Sequence, residues 1–198
     1  MGDINQQTYL KRHVPTKTGP VLEVGSKDYG STTTFRSFYS ASEYVGVDME
    51  HGKGVDLVVD LVEGTGELPL DHFDLVICCS VMEHVRKPWV FADNLTKLTR
   101  EGGQIYISVP WVWRYHAYPD DYFRFSYRGV MELFPEFEWA SLEYSTNVPD
   151  EFIPISGENK RTDDSMAHHR PVAFLSKQRR KYLPYLMVNM VGTKRAKA

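Results

Sequence analysis

The stretches PVLEVG at residues 20–25 and YVGVDM at residues 44–49 decide the fold of this 198-residue chain. Each is a short apolar run that carries one acidic residue, and buried parallel strands have this composition because helices cover both of their faces. A strand, a crossover helix and a second parallel strand together take roughly 30 residues. The spacing therefore predicts two parallel strands, at 20–24 and 44–48, whose carboxyl ends meet at the same edge of an open sheet.

A nucleoside ligand fits the ends of these two strands. Gly25 lets the backbone pass close to a ligand where a Cβ would obstruct it. Asp48, at the end of the second strand, is placed to accept hydrogen bonds from both hydroxyls of a ribose. Lys27 stands where the dinucleotide fingerprint has its second glycine, which disfavours a nicotinamide cofactor. Glu23 and Asp48 thus suggest a nucleoside cofactor of another kind.

The order of elements predicts an α/β fold with a single, doubly wound and mostly parallel sheet and helices on both faces. The predicted helices lie near 31–40, 88–100 and 126–134, and the predicted strands near 20–24, 44–48, 55–59, 73–79 and 103–109. Two further strands are indicated by FEWASLEYS at 137–145 and RPVAFLSKQ at 170–178. At this length we expect one domain, 1–198.

Four motifs in this order resemble those of the class I S-adenosylmethionine-dependent methyltransferases, in the small-molecule and sugar branch that is similar to methyltransferase type 11. They are EVGSKDYGS at 23–31, VDLVVDL at 55–61, HFDLVICCSVMEHV at 72–85 and KPWVFADNLTKLTREGGQIYISVP at 87–110. The resemblance covers residues 20–134 and implies S-adenosylmethionine as the cofactor and a last strand that runs antiparallel. The cofactor-binding residues that it implies are Glu23, Gly25, Ser26, Asp48, Met49, Asp60, Leu61 and Ser80, with Asp60 beside the adenine amino group and Met49 against the adenine face.

The densest cluster of polar and aromatic side chains is VPWVWRYHAYPDDYFRFS at 109–126. It resembles a signature of methyltransferases that modify sugars and glycans. Carboxylates and Arg can hydrogen-bond vicinal hydroxyls, while aromatic faces stack on the C–H side of a sugar ring. The substrate-binding residues that this implies are Trp111, Trp113, Tyr115, Asp120, Tyr122 and Arg124. In the alternative interpretation, Tyr122 and Arg124 only pin the loop, with Arg124 paired to Asp120 or Asp121.

Two histidines are candidates for the general base that an alcohol acceptor requires. His116 is one, with Asp120 or Asp121 fixing its tautomer or joining it as ligands of a divalent metal ion. His84, in the Glu-His pair of the fourth motif, is the other. The predicted catalytic residues are therefore His116, His84 and Asp121. Whether a metal takes part is left open.

Composition and charge narrow the protein class. A net charge of −3 gives no general attraction for nucleic acid, so nucleic acid is an unlikely partner and a small molecule or sugar the expected one. No apolar run of about 18 residues is present, and the first residues lack the apolar segment of a signal peptide, which favours the cytoplasm. The adjacent Cys78 and Cys79 lie in a predicted buried strand and suit a reducing compartment.

Two segments after residue 147 have special compositions. The polar stretch 148–170 is a candidate lid, and within it His168 and His169 are interpreted as surface residues. Residues 177–198 contain seven Lys and Arg and no acid. This basic C-terminal tail suggests either a final helix with a solvated end or a surface that contacts an anionic membrane or an acidic partner.

The leading hypothesis is a methyltransferase that acts on a hydroxyl of a sugar or other small polar molecule. The alternatives are a methyltransferase acting on RNA or a protein side chain, and a non-catalytic binding module of the same fold. The oligomeric state is not predicted.

Overall fold

The computed structural model of the chain describes residues 2–17, 19–30, 35–117, 119–155 and 185–196. Its helices are α1 Gly2–His13, α2 Pro88–Leu98 and α3 Tyr127–Leu133, with short 3-10 helices at Arg36–Tyr39 and Met82–His84. Its strands are β1 Val21–Val24, β2 Tyr44–Asp48, β3 Leu57–Val58, β4 Phe73–Cys79, β5 Thr99–Val112, β6 Phe137–Ser145, β7 Phe152–Pro154 and β8 Leu186–Lys194.

The eight strands form one sheet in the order β3-β2-β1-β4-β5-β8-β6-β7. Strands β3, β2, β1, β4 and β5 are parallel to one another. Strand β8 runs antiparallel to both β5 and β6, and β7 runs antiparallel to β6. Val24 of β1 is in register with Val47 of β2 and Cys78 of β4, so the carboxyl ends of these three strands lie side by side. The predicted α/β class, with its mostly parallel sheet and antiparallel last strand, is confirmed.

The hydrophobic core lies on both faces of the sheet because β1 and β4 alternate their side chains between them. On one face Leu22 and Val76 share a cluster with Leu95 of α2 and Val130 of α3. On the other, α1 buries its apolar residues against the sheet. Those residues and their strand partners are Tyr9, Leu10, Val21, Leu75, Ile77 and Tyr106. Helices thus cover both faces, as the sequence predicts.

Helix α1 is an element that the sequence pattern did not predict. Besides Tyr9 and Leu10 it buries two polar side chains, Asn5 and Gln6. The Asn5 amide donates to the carbonyl oxygens of Thr146 and Val148 at 2.9 and 2.8 Å. Hydrophobic periodicity fails as a signal here because hydrogen bonds fix part of the buried face of the helix.

Residues 186–194 correct the interpretation of 177–198 as a tail or a final helix. They form β8, a buried strand between β5 and β6, and Lys194 is itself buried, with its ammonium group donating to the carbonyl oxygens of Thr96 and Thr99. The apolar side chains of β8 point to both faces of the sheet, so the strand reads as a continuous apolar run. Basic residues flank this run, and for that reason the segment resembles an amphipathic tail. Residues 177–184 and the predicted strand at 170–178 lie outside the described residues.

Two other predictions change in part. The candidate lid at 148–170 begins with β7, which pairs with β6 at the sheet edge, while residues 156–170, including His168 and His169, lie outside the described ranges. The predicted helix at 31–40 is a 3-10 helix at Arg36–Tyr39 in its described portion. Within the ranges that the structure describes, no helix combines the length and apolar character needed to cross a bilayer.

Candidate active site

A cavity of about 1230 Å³ opens at the carboxyl ends of β1, β2 and β4. Ligands of open α/β sheets bind at such a position, where neighbouring strands lead their connections to opposite faces. The residues predicted for cofactor, substrate or catalysis that line it are Glu23, Gly25, Asp48, Met49, Asp60, Leu61, Ser80, His84, Trp113, His116 and Tyr122.

The turn after β1 requires glycine at position 25. Gly25 has a φ of +73°, and a Cβ added there would lie 2.4 Å from Cγ2 of Val81. The N–H groups of Gly25 and Ser26 both donate to the carbonyl oxygen of Val47, which ties the turn to the end of β2. The backbone therefore passes close to the cavity, as the sequence predicts, and a side chain at this position would be strained.

The Asp48 carboxylate is held at the cavity wall by two backbone amides. Its Oδ2 accepts from the N–H of Lys27 at 3.3 Å, and its Oδ1 accepts from the N–H of Glu50 at 3.1 Å. The ammonium group of Lys27 pairs with the Glu50 carboxylate at 2.5 Å. Asp48 is half-buried and keeps acceptor capacity toward the cavity, which is what a pair of ribose hydroxyls needs.

Glu23 is the buried acid of this part of the cavity. The hydroxyl of Tyr44 donates to its Oε2 at 2.7 Å. Burial and the neighbouring Glu23 charge raise the pKa of the Tyr44 phenol, which therefore stays protonated as the donor. Tyr44 thus fixes the orientation of a carboxylate that the sequence placed correctly on β1.

The residues predicted around the adenine group lie at the exposed rim. Met49 is 57% exposed and free to cover an aromatic ring. Asp60 accepts the N–H of Val62 at 2.8 Å, which shapes the turn that presents Leu61 to the cavity. Ser26 does not line the cavity, because its side chain is buried toward Gly46, where an added Cβ would lie 2.8 Å from Ser26 Oγ. Only its backbone belongs to the turn.

Ser80 stands at the end of β4 in a strained conformation. Its φ is +54°, a value that non-glycine residues rarely adopt, and such strain is concentrated at functional sites. The side-chain amide of Gln6, on α1, donates to Ser80 Oγ at 3.0 Å and to Ser108 Oγ at 3.1 Å. Gln6 also lines the cavity, so α1 supplies a wall that the sequence did not predict.

Glu83, His84 and His116 form the polar centre of the cavity. The Glu83 side chain is fully buried, and neither of its carboxylate oxygens has a hydrogen-bond partner within the described part of the chain. Nε2 of His116 lies 3.7 Å and Nε2 of His84 lies 3.9 Å from the same Glu83 oxygen, Oε1. The two imidazole rings meet edge to face at 5.0 Å between centroids.

Backbone carbonyls orient both rings of this cluster. Nδ1 of His84 lies 2.6 Å from the carbonyl oxygen of Asp120, and Nδ1 of His116 lies 3.2 Å from that of Arg114. A carbonyl can only accept, so Nδ1 is the protonated nitrogen in each neutral ring and Nε2 carries the lone pair. Interaction with Glu83 raises the pKa of His116 above its usual value, against the opposing effect of burial.

Arg124 pins the loop and does not present a clamp for a sugar. Its guanidinium forms a double hydrogen bond with Asp121, at 2.5 and 2.7 Å. Its other N–H groups donate to the carbonyl oxygens of Trp113, Phe123 and Arg114, so all five donors are used within the protein. Of the two interpretations that the sequence left open for Arg124, this geometry favours the structural one.

Asp121 supports His116 without reaching the cavity. Its carboxylate accepts the backbone N–H of His116 at 2.8 Å, and its Oδ2 lies 3.4 Å from Nδ1 of that ring. Hydrogen bonds from Arg124 lower the pKa of Asp121 to about 2. The carboxylate is already bonded to a guanidinium, which makes Asp121 a positioning residue and a poor candidate for a metal ligand.

The remaining predicted substrate residues divide between the cavity and its surroundings. Trp113 and Tyr122 line the cavity, and Trp113 packs on Tyr185 with ring centroids 4.0 Å apart. Trp111 packs against the hydrophobic core, Tyr115 is exposed, and the Asp120 carboxylate accepts the hydroxyl of Tyr122 at 2.8 Å. None of the last three lines the cavity.

Sequence reasoning missed Glu83, Gln6 and Tyr185 as cavity residues. The signal for Glu83 was available, because an acid inside the largely apolar stretch SVMEHV is unusual unless it is bound or paired. Gln6 and Tyr185 reach the cavity only through the packing of distant segments, which the sequence pattern does not specify.

The sequence of residues 22–107 matches the family model of a methyltransferase domain. This segment contains most of β1, all of β2, β3, β4 and α2, and most of β5, together with the cavity residues between Glu23 and Phe91. The match covers less than half of the chain, so it shows what this segment is similar to. No curated protein sequence matches the chain.

Solved structures share the fold of this chain. Phosphoethanolamine N-methyltransferase 2 from Haemonchus contortus, in complex with S-adenosyl-L-methionine, superposes with a TM-score of 0.60 at 16% identity over 97% of this chain and 53% of its own. The chain thus spans about half of that protein. The YcgJ protein from Bacillus subtilis superposes with a TM-score of 0.64 at 12% identity, over 98% of this chain and 99% of its own. The cyclase SpnF superposes with a TM-score of 0.65 at 14% identity, over 98% of this chain and 82% of its own. At these identities the likeness concerns the fold alone.

Proposed function

We propose that this protein binds S-adenosylmethionine and transfers its methyl group to a hydroxyl of a sugar or another small polar molecule. The observation that carries the proposal is a single cavity that joins a nucleoside half, around Glu23 and Asp48, to a half lined by Trp113, His116 and Tyr122. The residues present fit the cofactor, because a glycine turn, an orienting carboxylate and an exposed Met meet there.

In this proposal, His116 removes the proton of the hydroxyl. S-adenosylmethionine supplies, when bound, a methyl group on a positively charged sulfur that an acceptor oxygen can attack in line. In the neutral ring, Nε2 of His116 is free to take a proton while Nδ1 is held at the Arg114 carbonyl. Glu83, 3.7 Å away, stabilises the imidazolium that results, which supports a His–carboxylate base.

The acceptor surface favours a small, polar and ring-shaped molecule. Trp113 and Tyr122 offer aromatic faces, and Gln6 and Ser80 offer polar groups on the opposite wall. The case for RNA or a protein side chain rested on the seven basic residues of 177–198, and one of them, Lys194, is buried in the sheet. The aromatic and polar lining of the cavity favours a small acceptor.

Replacing Asp48 tests the cofactor site. Asp48→Ala removes the carboxylate that would accept both ribose hydroxyls, so calorimetric titration with S-adenosylhomocysteine should show affinity reduced about tenfold to a hundredfold. Asp93→Ala is the matched control, because Asp93 is exposed on α2, pairs with Lys97 at 2.6 Å and does not line the cavity that the described residues form. Equal affinities in the wild type and Asp48→Ala would refute the proposed cofactor mode.

Replacing His116 tests the chemistry. Free monosaccharides and nucleotide sugars are offered to the wild type, and release of S-adenosylhomocysteine is measured. His116→Ala should lose about 10²–10⁴-fold in turnover while keeping its affinity for S-adenosylhomocysteine, because the base contributes to the reaction and not to cofactor binding. Unchanged turnover would transfer the role to His84 or to no residue. A wild type that binds S-adenosylhomocysteine but methylates none of these acceptors would contradict the proposed acceptor class.

A further inference from the structure

The cluster of Glu83, His84 and His116 has the composition of a metal site. One carboxylate oxygen and one ring nitrogen from each histidine all lie within 4.8 Å of one another, and in the described residues this is the only group of three such ligands. We infer that Glu83, His84 and His116 bind a divalent transition-metal ion, with its open coordination positions facing the cavity. This inference goes beyond the proposed function, since metal binding can be measured without any acceptor.

The buried carboxylate of Glu83 is the first argument. Its side chain is fully buried and faces the cavity, yet both oxygens lack a hydrogen-bond partner among the described residues. A buried carboxylate without hydrogen bonds is costly, and such groups are normally paired or bound to a metal. The histidine nitrogens at 3.7 and 3.9 Å are too far for hydrogen bonds but suit ligands that a central ion would draw together.

The orientation of the histidines is the second argument. Both direct Nδ1 at a backbone carbonyl, of Asp120 for His84 and of Arg114 for His116, and both direct Nε2 at Oε1 of Glu83. Metal-binding histidines commonly donate their second nitrogen in this way, because the hydrogen bond fixes the tautomer and leaves a lone pair for the ion. Two rings that share this arrangement around one carboxylate are pre-organised for a common ligand.

The distances and ligand types indicate the kind of ion. Metal–ligand bonds of about 2.0–2.2 Å place tetrahedral ligand atoms roughly 3.4 Å apart. The observed separations of 3.7 and 3.9 Å would close by a few tenths of an ångström through side-chain rotation. Two imidazoles and one carboxylate favour zinc or a neighbouring transition metal over Mg²⁺ or Ca²⁺, which prefer oxygen ligands throughout.

The charges around the cluster favour a cation. The Arg124 guanidinium is a positive group of the same loop, and its double hydrogen bond to Asp121 neutralises it. Glu83 then leaves a net negative charge at the neutral histidines. A bound ion and a proton would compete for Nε2 of His116, so metal-bound and proton-accepting clusters are alternative states of the same site.

Zinc binding to the full chain tests the inference. We expect calorimetry with Zn²⁺ to detect a site of micromolar or tighter affinity that Glu83→Gln, His84→Ala and His116→Ala each weaken at least tenfold. Co²⁺ titration should give visible absorption bands of a four- or five-coordinate ion that the same variants abolish. Circular dichroism and thermal melting show whether each variant is folded, and three separate substitutions keep the test decisive if one of them is not.

A second His-Glu pair provides the matched control. Nε2 of His72 lies 3.8 Å from a carboxylate oxygen of Glu43, without a third ligand. His72→Ala should therefore leave the zinc affinity unchanged. The comparison of variants also separates this site from His168 and His169, which lie outside the described residues. A wild type that binds no Zn²⁺, or one whose affinity is the same in all three ligand variants, would overturn the inference. The proposed cofactor site is tested separately, by the binding of S-adenosylhomocysteine to Asp48→Ala.

Discussion

The Asp121 carboxylate holds the loop that carries His116. It is buried, accepts two hydrogen bonds from Arg124 and accepts the backbone N–H of His116. These contacts lower its pKa to about 2, below the usual value of 3.8. Because the pKa is lower in the folded state, the ionised carboxylate stabilises the fold at pH values above about 4, and this contribution is lost as the pH falls toward 2.

The stability of Asp121→Asn should therefore depend on pH. At pH 7 we expect the free energy of unfolding of the variant to be about 2 kcal/mol lower than that of the wild type. This value corresponds to the pKa shift. At pH 3 the difference should be roughly half as large, because Asp121 is then mostly protonated in the unfolded wild type, which stabilises the unfolded state. Urea unfolding at both pH values measures this. A difference that does not change with pH would contradict an ionised, Arg-bound Asp121.

Individual site residues differ in how far the sequence predicts them. Gly25 and Asp48 follow directly from strand ends, since the register of neighbouring parallel strands fixes their positions. Arg124 could not be assigned in this way, because its role depends on which carbonyls of a folded loop its five donors reach. Glu83 was missed for a related reason: only the packing of two loops shows that it lies between two histidines.

Secondary-structure elements were predicted well where one physical pattern governs them. The strands β2 and β4 begin and end at the predicted residues, β1 begins one residue later than predicted, and α3 is one residue shorter at each end. Each is an apolar run or an amphipathic stretch with clear boundaries. Strand β5 begins at Thr99, before the glycine turn, because it pairs with β4 there through an irregular register.

Helix α1 and strand β8 show where such patterns stop being informative. Helix α1 carries buried amides that find hydrogen-bond partners just after β4, on β5 and just after β6. In β8, Asn189 is buried and receives the Tyr106 hydroxyl at 2.9 Å while donating to Ser145 at 2.9 Å. In both elements, the sequence pattern suggests that these polar side chains are exposed. They are buried instead, and their hydrogen-bond partners lie more than 40 residues away in the sequence.

The whole sheet depends on β8 for its continuity. This strand pairs with β5 along eight residue positions and with β6 along another eight, so it connects the parallel part of the sheet to β6 and β7. It also places Met187 in the cavity wall. Residues 186–194, which the sequence analysis assigned to a basic C-terminal tail, are therefore central to both the fold and the cavity.

Truncation should reveal this dependence. A chain that ends before Leu186 exposes the edges of β5 and β6 and loses the buried apolar residues of β8, so we expect loss of the cooperative thermal transition and of S-adenosylhomocysteine binding. A chain that ends after Arg195 retains β8 and should behave as the wild type. If the shorter chain still unfolds cooperatively and binds S-adenosylhomocysteine, β8 is not required as the sheet order indicates.

The insertion of β8 between β5 and β6 has a consequence for protein synthesis. While residues 186–194 are still inside the ribosome, the emerged chain has no partner strand to place between those two neighbours. In the nascent polypeptide, the edges of β5 and β6 therefore have unpaired backbone N–H and C=O groups next to exposed apolar surface. Chaperones recognise intermediates of this kind. Folding and the completion of the pocket are for this reason tied to the release of these nine residues from the exit tunnel.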